Sequence, residues 1–81
     1  MKATIYRMKL PEHECPFGVR ALERLKAGGF DVKEEILSTR REVDEFKAKH
    51  RVNTTPLIFI DGQRVGGLRE LESFMLSEQF S

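Results

Sequence analysis

Apolar and polar positions along the chain fall into short blocks whose period switches between two and about 3.6. Residues 3–8 (Ala-Thr-Ile-Tyr-Arg-Met) are β-rich and loosely alternating, which predicts a first strand. Residues 9–14 are polar with Pro11 among them and predict a loop. From Pro16 to Ala27, Val19, Leu22 and Leu25 recur on one helical face beside Ala21, and Gly28-Gly29 supplies a stop. Residues 31–36 predict a second strand, whose weak pattern at Val32 and Ile36 suits an edge. Thr39-Arg40-Arg41-Glu42 is a capping box. It opens a helix reaching about Lys49, with Val43 and Phe46 inward. Leu57-Ile58-Phe59-Ile60 is a continuous apolar run, as in a strand covered on both faces. Asp61-Gly62 predicts a hairpin turn, residues 63–65 a returning strand, and Gly66-Gly67 its end. Leu68, Leu71 and Met75, with Phe74, mark a final helix to about Glu78.

The resulting order is β-α-β-α-β-β-α. Strands joined through a helix run parallel with a right-handed crossover, and the last two strands form a hairpin. The pattern predicts an α/β fold with three helices on both faces of a four-stranded mixed sheet. Eighty-one residues make one small domain, residues 1–81, with one modest core. A formal net charge of +1 gives no reason to expect nucleic acid, and no apolar run is long enough for a membrane helix. One cysteine excludes an internal disulfide and points to a reducing, cytoplasmic setting. With only His13 and His50 beside it, a closed zinc site within one chain is not expected, and no metal ligands are assigned.

That cysteine carries the chemistry. Glu14-Cys15-Pro16-Phe17-Gly18 places it immediately before a proline that suits the first position of a helix. The first-turn amides lack partners within the helix, and the helix end is partially positive. Both favour thiolate, the nucleophilic form. A buried cysteine acting as a small hydrophobe is the plain alternative.

Three motifs, in order and spacing, resemble the glutaredoxin family of the thioredoxin fold over nearly the whole chain. Cys15-Pro16-Phe17-Gly18-Val19-Arg20 is similar to the family's Cys-Pro-Tyr-Cys site and the basic residue after it. Thr54-Thr55-Pro56, with the strand and Asp61-Gly62 turn that follow, resembles the family's Thr-Val-Pro segment. Val65-Gly66-Gly67 resembles the end of its last strand. The resemblance implies a thioredoxin-like fold and a thiol–disulfide oxidoreductase with Cys15 as catalytic nucleophile. Pro56 is then a cis-proline facing the cysteine, and Thr55 offers its backbone to an extended peptide, which is a strand-addition mode of binding. Glutathione is such a peptide, and Gly66, Gly67 and Glu70 hold its glutamyl end. Arg51 lies near the family's basic or amide side chain for the glycyl carboxylate. Pro16, Phe17, Gly18 and Arg20 neighbour the thiol, with Phe17 shielding the sulfur.

Departures from the family sharpen this reading. Gly18 stands where dithiol members have a resolving cysteine, so a mixed disulfide on Cys15 must be resolved by glutathione. This implies a monothiol, deglutathionylating mechanism. Nothing in the sequence requires the missing side chain at Gly18. The segment before Cys15 is longer than in compact members. The family's lysine has no clean counterpart; Glu12 holds roughly that place and Lys9 is within reach. Of the acidic residues that commonly follow the paired glycines, only Glu70 is present. Implied partners are glutathione and glutathionylated or disulfide-containing proteins, met by a monomer. Two other readings stand beside this one. The first is a dimer holding a [2Fe–2S] cluster through Cys15 and glutathione thiolates; the second is a non-catalytic interaction domain.

Overall fold

The computed structural model describes residues 2–14 and 16–80. The catalytic candidate Cys15 lies outside the described residues, as does the side chain of His13. The elements run β1 (Lys2–Leu10), β2 (His13–Glu14), α1 (Pro16–Ala27), β3 (Asp31–Leu37), α2 (Arg40–His50), β4 (Leu57–Ile60), β5 (Gln63–Gly66) and α3 (Leu68–Phe80).

The main sheet has the order β3-β1-β4-β5. β1 is parallel to β3, from Lys2 opposite Asp31 to Met8 opposite Leu37. It is antiparallel to β4, from Ala3 opposite Ile60 to Tyr6 opposite Leu57. β5 returns antiparallel to β4 through Asp61 and Gly62, whose φ values of 50° and 84° suit the mirror-image turns that close tight hairpins. This is the mixed, thioredoxin-like sheet that the sequence predicts, with β3 at an edge.

One segment differs. Residues 9–14, expected as a loop, instead extend β1 to Leu10, turn at Pro11-Glu12 and come back as β2, with Lys9 opposite Glu14 and Leu10 opposite His13. Polar composition and Pro11 predict irregular chain there. The proline sits in the turn, where it blocks no ladder bond.

Helices cover both faces. Ala3 and Ile5 of β1, Ala21 and Leu25 of α1, Ile58 and Ile60 of β4 and Leu71 of α3 form one core. Ile5, Leu25, Ile58 and Leu71 are fully buried, and truncating such a side chain to alanine costs about 2–5 kcal/mol. The other face is aromatic. Tyr6 of β1 lies 5.0 Å from Phe46 of α2, Phe46 lies 4.4 Å from His50, and Phe59 of β4 meets Tyr6 edge-on at 5.9 Å (ring centroids). α2 starts at the predicted capping box. The Glu42 N–H donates to Thr39 Oγ1 at 3.1 Å, while Glu42 Oε1 accepts from both Ser38 groups and from the Thr39 hydroxyl. It ends at Arg51, in the left-handed region with φ 54°.

Candidate functional site

The register fixes which ends meet. β1 runs on into its hairpin with β2, and Tyr6 at its middle pairs with Leu57, the first residue of β4. Gly66, the last residue of β5, pairs with Ile58. One end of the sheet therefore gathers the Thr55–Pro56 segment, the paired glycines, and the starts of α1 and α3. The Thr55–Pro56 peptide bond is cis, and both residues are buried.

At this end lies an open groove of about 520 Å³, lined among others by Phe17, Thr55, Pro56, Gly67, Leu68 and Glu70. Of the sequence candidates, the groove thus brings together Thr55, Pro56, Gly67 and Glu70 with Phe17, two positions after Cys15. Gly66 joins Pro56, Gly67 and Glu70 in the adjoining cleft of about 240 Å³. Phe17 is 56% exposed, an uncommon situation for a large aromatic side chain, and it forms one wall of the larger groove.

Glu70 folds back over the glycines. Its Oε1 accepts from the Gly67 N–H at 3.2 Å, which caps the start of α3. An added Cβ on Gly66 would come within 2.9 Å of Glu70 Cγ, and Gly66 has φ 122°. Only glycine combines that backbone with that approach. The Gly67 amide is therefore met by a carboxylate of the chain itself.

Two candidates lie apart from the groove. Arg51 caps α2 and is exposed; it is not among the described residues lining either cleft. Arg64 lines the smaller cleft instead, its Nη1 donating to the His50 carbonyl at 2.9 Å. Arg20 is exposed on α1 and lines a separate hollow with Glu14, Pro16, Val19 and Glu23. Thr54, Arg69 and Glu72, to which the sequence assigns no role of their own, also line the main groove. Arg69 and Glu72 belong to the first turn and a half of α3, so their proximity to the glycines was available from the helix start alone.

Gly18 is buried, and the requirement for its missing side chain is visible here. An added Cβ would lie 3.0 Å from Arg7 Cβ, tighter than ordinary contact, so β1 or α1 would have to give by a few tenths of an ångström. The expectation that position 18 is free to carry a side chain is corrected accordingly. Arg7 is itself 7% exposed. Its Nη1 donates to Glu14 Oε1 at 2.6 Å, and its Nε lies 3.1 Å from Glu34 Oε2, an ion-pair contact off the line of a hydrogen bond. Burial pulls the Arg7 pKa down, but pairing with Glu34 and Glu14 outweighs it and holds the group above the ordinary guanidinium value.

Comparison with known proteins agrees with this architecture. The family model described as Glutaredoxin matches residues 3–65. No curated protein matches the chain. Glutaredoxin 1 from Francisella tularensis, solved with cacodylate, has a similar structure, with TM-score 0.76 and 20% identity, covering 98% of this chain and 99% of that one. A Brucella melitensis glutaredoxin is similar at TM-score 0.66 and 26% identity, over 98% of this chain and 83% of that one. Reduced Escherichia coli glutaredoxin is similar at TM-score 0.63 and 25% identity, over the whole of both chains.

Proposed function

The chain belongs to the glutaredoxin family, and from that premise we propose that it is a glutathione-dependent thiol–disulfide oxidoreductase working through the single thiol of Cys15. The observation that carries this reading is the groove beside α1, where Thr55 and Pro56 face Gly67, Glu70 and Phe17. An extended peptide fits such a groove by lying along it as an added strand.

The chemistry needs one protein thiol. Cys15 thiolate attacks the glutathionyl sulfur of a mixed disulfide; the substrate thiolate leaves and takes a proton. Cys15 is then disulfide-bonded to glutathione. A second glutathione thiolate attacks the glutathionyl sulfur of that bond, releasing glutathione disulfide and restoring the Cys15 thiolate. With Gly18 after it in place of a second cysteine, no internal thiol competes for the intermediate. Glu70 carries the negative charge for the glutamyl ammonium, and Gly66 leaves room for the Glu70 side chain to lie against its backbone. The reaction belongs in a reducing, glutathione-containing compartment, and we assign a cytoplasmic monomer.

The test is glutathione-dependent reduction of a glutathionylated peptide by the wild type and Cys15→Ser. The wild type turns over and the variant does not. Full activity in Cys15→Ser overturns the assignment.

A further inference from the structure

Arg7 stands where the strand pattern calls for an apolar residue. Ala3 and Ile5, the preceding inward positions of β1, are 2% and 0% exposed, and Arg7 follows them into the same face at 7%. Burying a charge is costly unless it is paired, and apolar replacements of buried ion pairs are often neutral or stabilising. Stability alone therefore does not explain an arginine here. What a methionine of similar volume lacks is the fork. One guanidinium edge holds Glu14 on β2 while Nε faces Glu34 on β3, and the side-chain methylenes floor the first turn of α1 at Gly18.

β2 needs such an anchor. It has only two residues, paired to the end of β1, and it leads directly into Cys15. A two-residue ribbon is marginal by itself. We propose that Arg7 is a positioning residue for the thiol chemistry: it ties Glu14, the residue before Cys15, to the body of the sheet and balances the carboxylates gathered there. The proposal rests on the reading of Cys15 as nucleophile. The triad holds one positive and two negative charges. Loss of Arg7 leaves both carboxylates without this counter-charge, one of them on the residue before Cys15, and disfavours thiolate, whereas loss of the Glu34 charge does the opposite. The other charged side chains lining the hollow with Glu14 are Arg20 and Glu23, which oppose one another.

The experiment compares Arg7→Met, Arg7→Lys and Glu34→Gln for kcat and KM on a glutathionylated peptide, for Cys15 alkylation rate at fixed neutral pH, and for melting temperature. Arg7→Met is expected to lower kcat by about tenfold to a hundredfold, the scale of a misplacement of about 1 Å, with KM little changed. It also slows alkylation, Arg7→Lys partly restores both, and Glu34→Gln does not slow alkylation. A merely structural role predicts a lower melting temperature without the opposed effects on alkylation. If Arg7→Met does not fold, Glu14→Ala severs the same link from a partner that is 38% exposed, and the same loss of kcat is expected. Wild-type kcat and alkylation in either variant overturns the proposal. Alkylation reports on Arg7 independently of glutathione turnover, so failure of the enzymatic assignment, read from Cys15→Ser, remains distinguishable.

Discussion

The bare backbone of Gly18 lies directly over the Cβ of Arg7, with room for a side chain only if helix and strand separate. Alanine at this position gains at most about 1 kcal/mol of helix propensity. Overpacking against a strand-anchored atom costs about 1–3 kcal/mol. Gly18→Ala is therefore expected to lower the melting temperature, by about 4–8 °C for each kcal/mol of net loss. An unchanged or higher melting temperature would show that α1 shifts freely. Gly18→Cys meets the same contact, yet supplies a second thiol. It is expected to be less stable than the wild type, to form an internal disulfide under mild oxidation and to depend less on glutathione for resolution. Absence of that disulfide, measured by thiol counting, would place Cys15 in a geometry unlike that of dithiol relatives.

Gly66 combines a left-handed φ of 122° with a close approach to Glu70. Gly66→Ala strains the backbone by about 1–3 kcal/mol and pushes Glu70 off the Gly67 amide. Melting temperature should fall, and KM for a glutathionylated peptide should rise. Glu70→Gln retains the size of the side chain without its charge, so KM rises with little change in melting. A KM indifferent to both substitutions would remove the glycine end from the binding groove.

At the start of α2 the sign of the pH effect follows from hydrogen bonding. Donation from the Ser38 hydroxyl, then from the Ser38 N–H and the Thr39 hydroxyl, holds Glu42 below the ordinary glutamate value. A carboxylate depressed on folding contributes stability that is present above its unfolded value of about 4.3 and lost as pH falls through the folded value. Glu42→Gln should consequently be less stable than the wild type near neutrality, with the difference shrinking in acid. Parallel stability curves from neutral pH to below pH 4 would contradict this, as read by denaturant unfolding at each pH.

The strands and helices were legible because their signals are local: the capping box at Thr39 and Glu42, the Asp61-Gly62 turn, and the apolar run from Leu57 to Ile60. The groove was partly legible, since Pro56 and the Gly66-Gly67 pair punctuate strands whose register the topology dictates. The β2 hairpin was not. Its two pairs come with an Arg7–Glu14 bond, a contact between side chains on separate strands that no short-range pattern records. Arg7 itself gave a signal, standing third in the inward series after Ala3 and Ile5. Its meaning required Glu14, Glu34 and Gly18 to be seen around it. Arg64 likewise entered the smaller cleft through a bond to the end of α2, fourteen positions away in sequence.

The thiol is where sequence and fold converge. Pro16 is the first residue of α1, and no acidic side chain occupies that helix's first turn. First-turn amides, which have no partners within the helix, and the helix dipole favour a negative charge next to a helix start. Cys15 should thus alkylate with a midpoint below the unperturbed thiol value of about 8.5, measured as rate against pH in the folded protein and again in denaturant. A midpoint at or above that value in the folded state would count against a reactive thiolate. Linkage supplies an independent check. A thiol whose pKa is lowered on folding contributes stability present above its unfolded value and lost as pH falls through the folded one. The stability difference between the wild type and Cys15→Ser should then grow as pH rises toward about 8.5 and level off beyond it. A difference that stays flat across this range would mean that the helix start does not act on the sulfur, whatever the turnover.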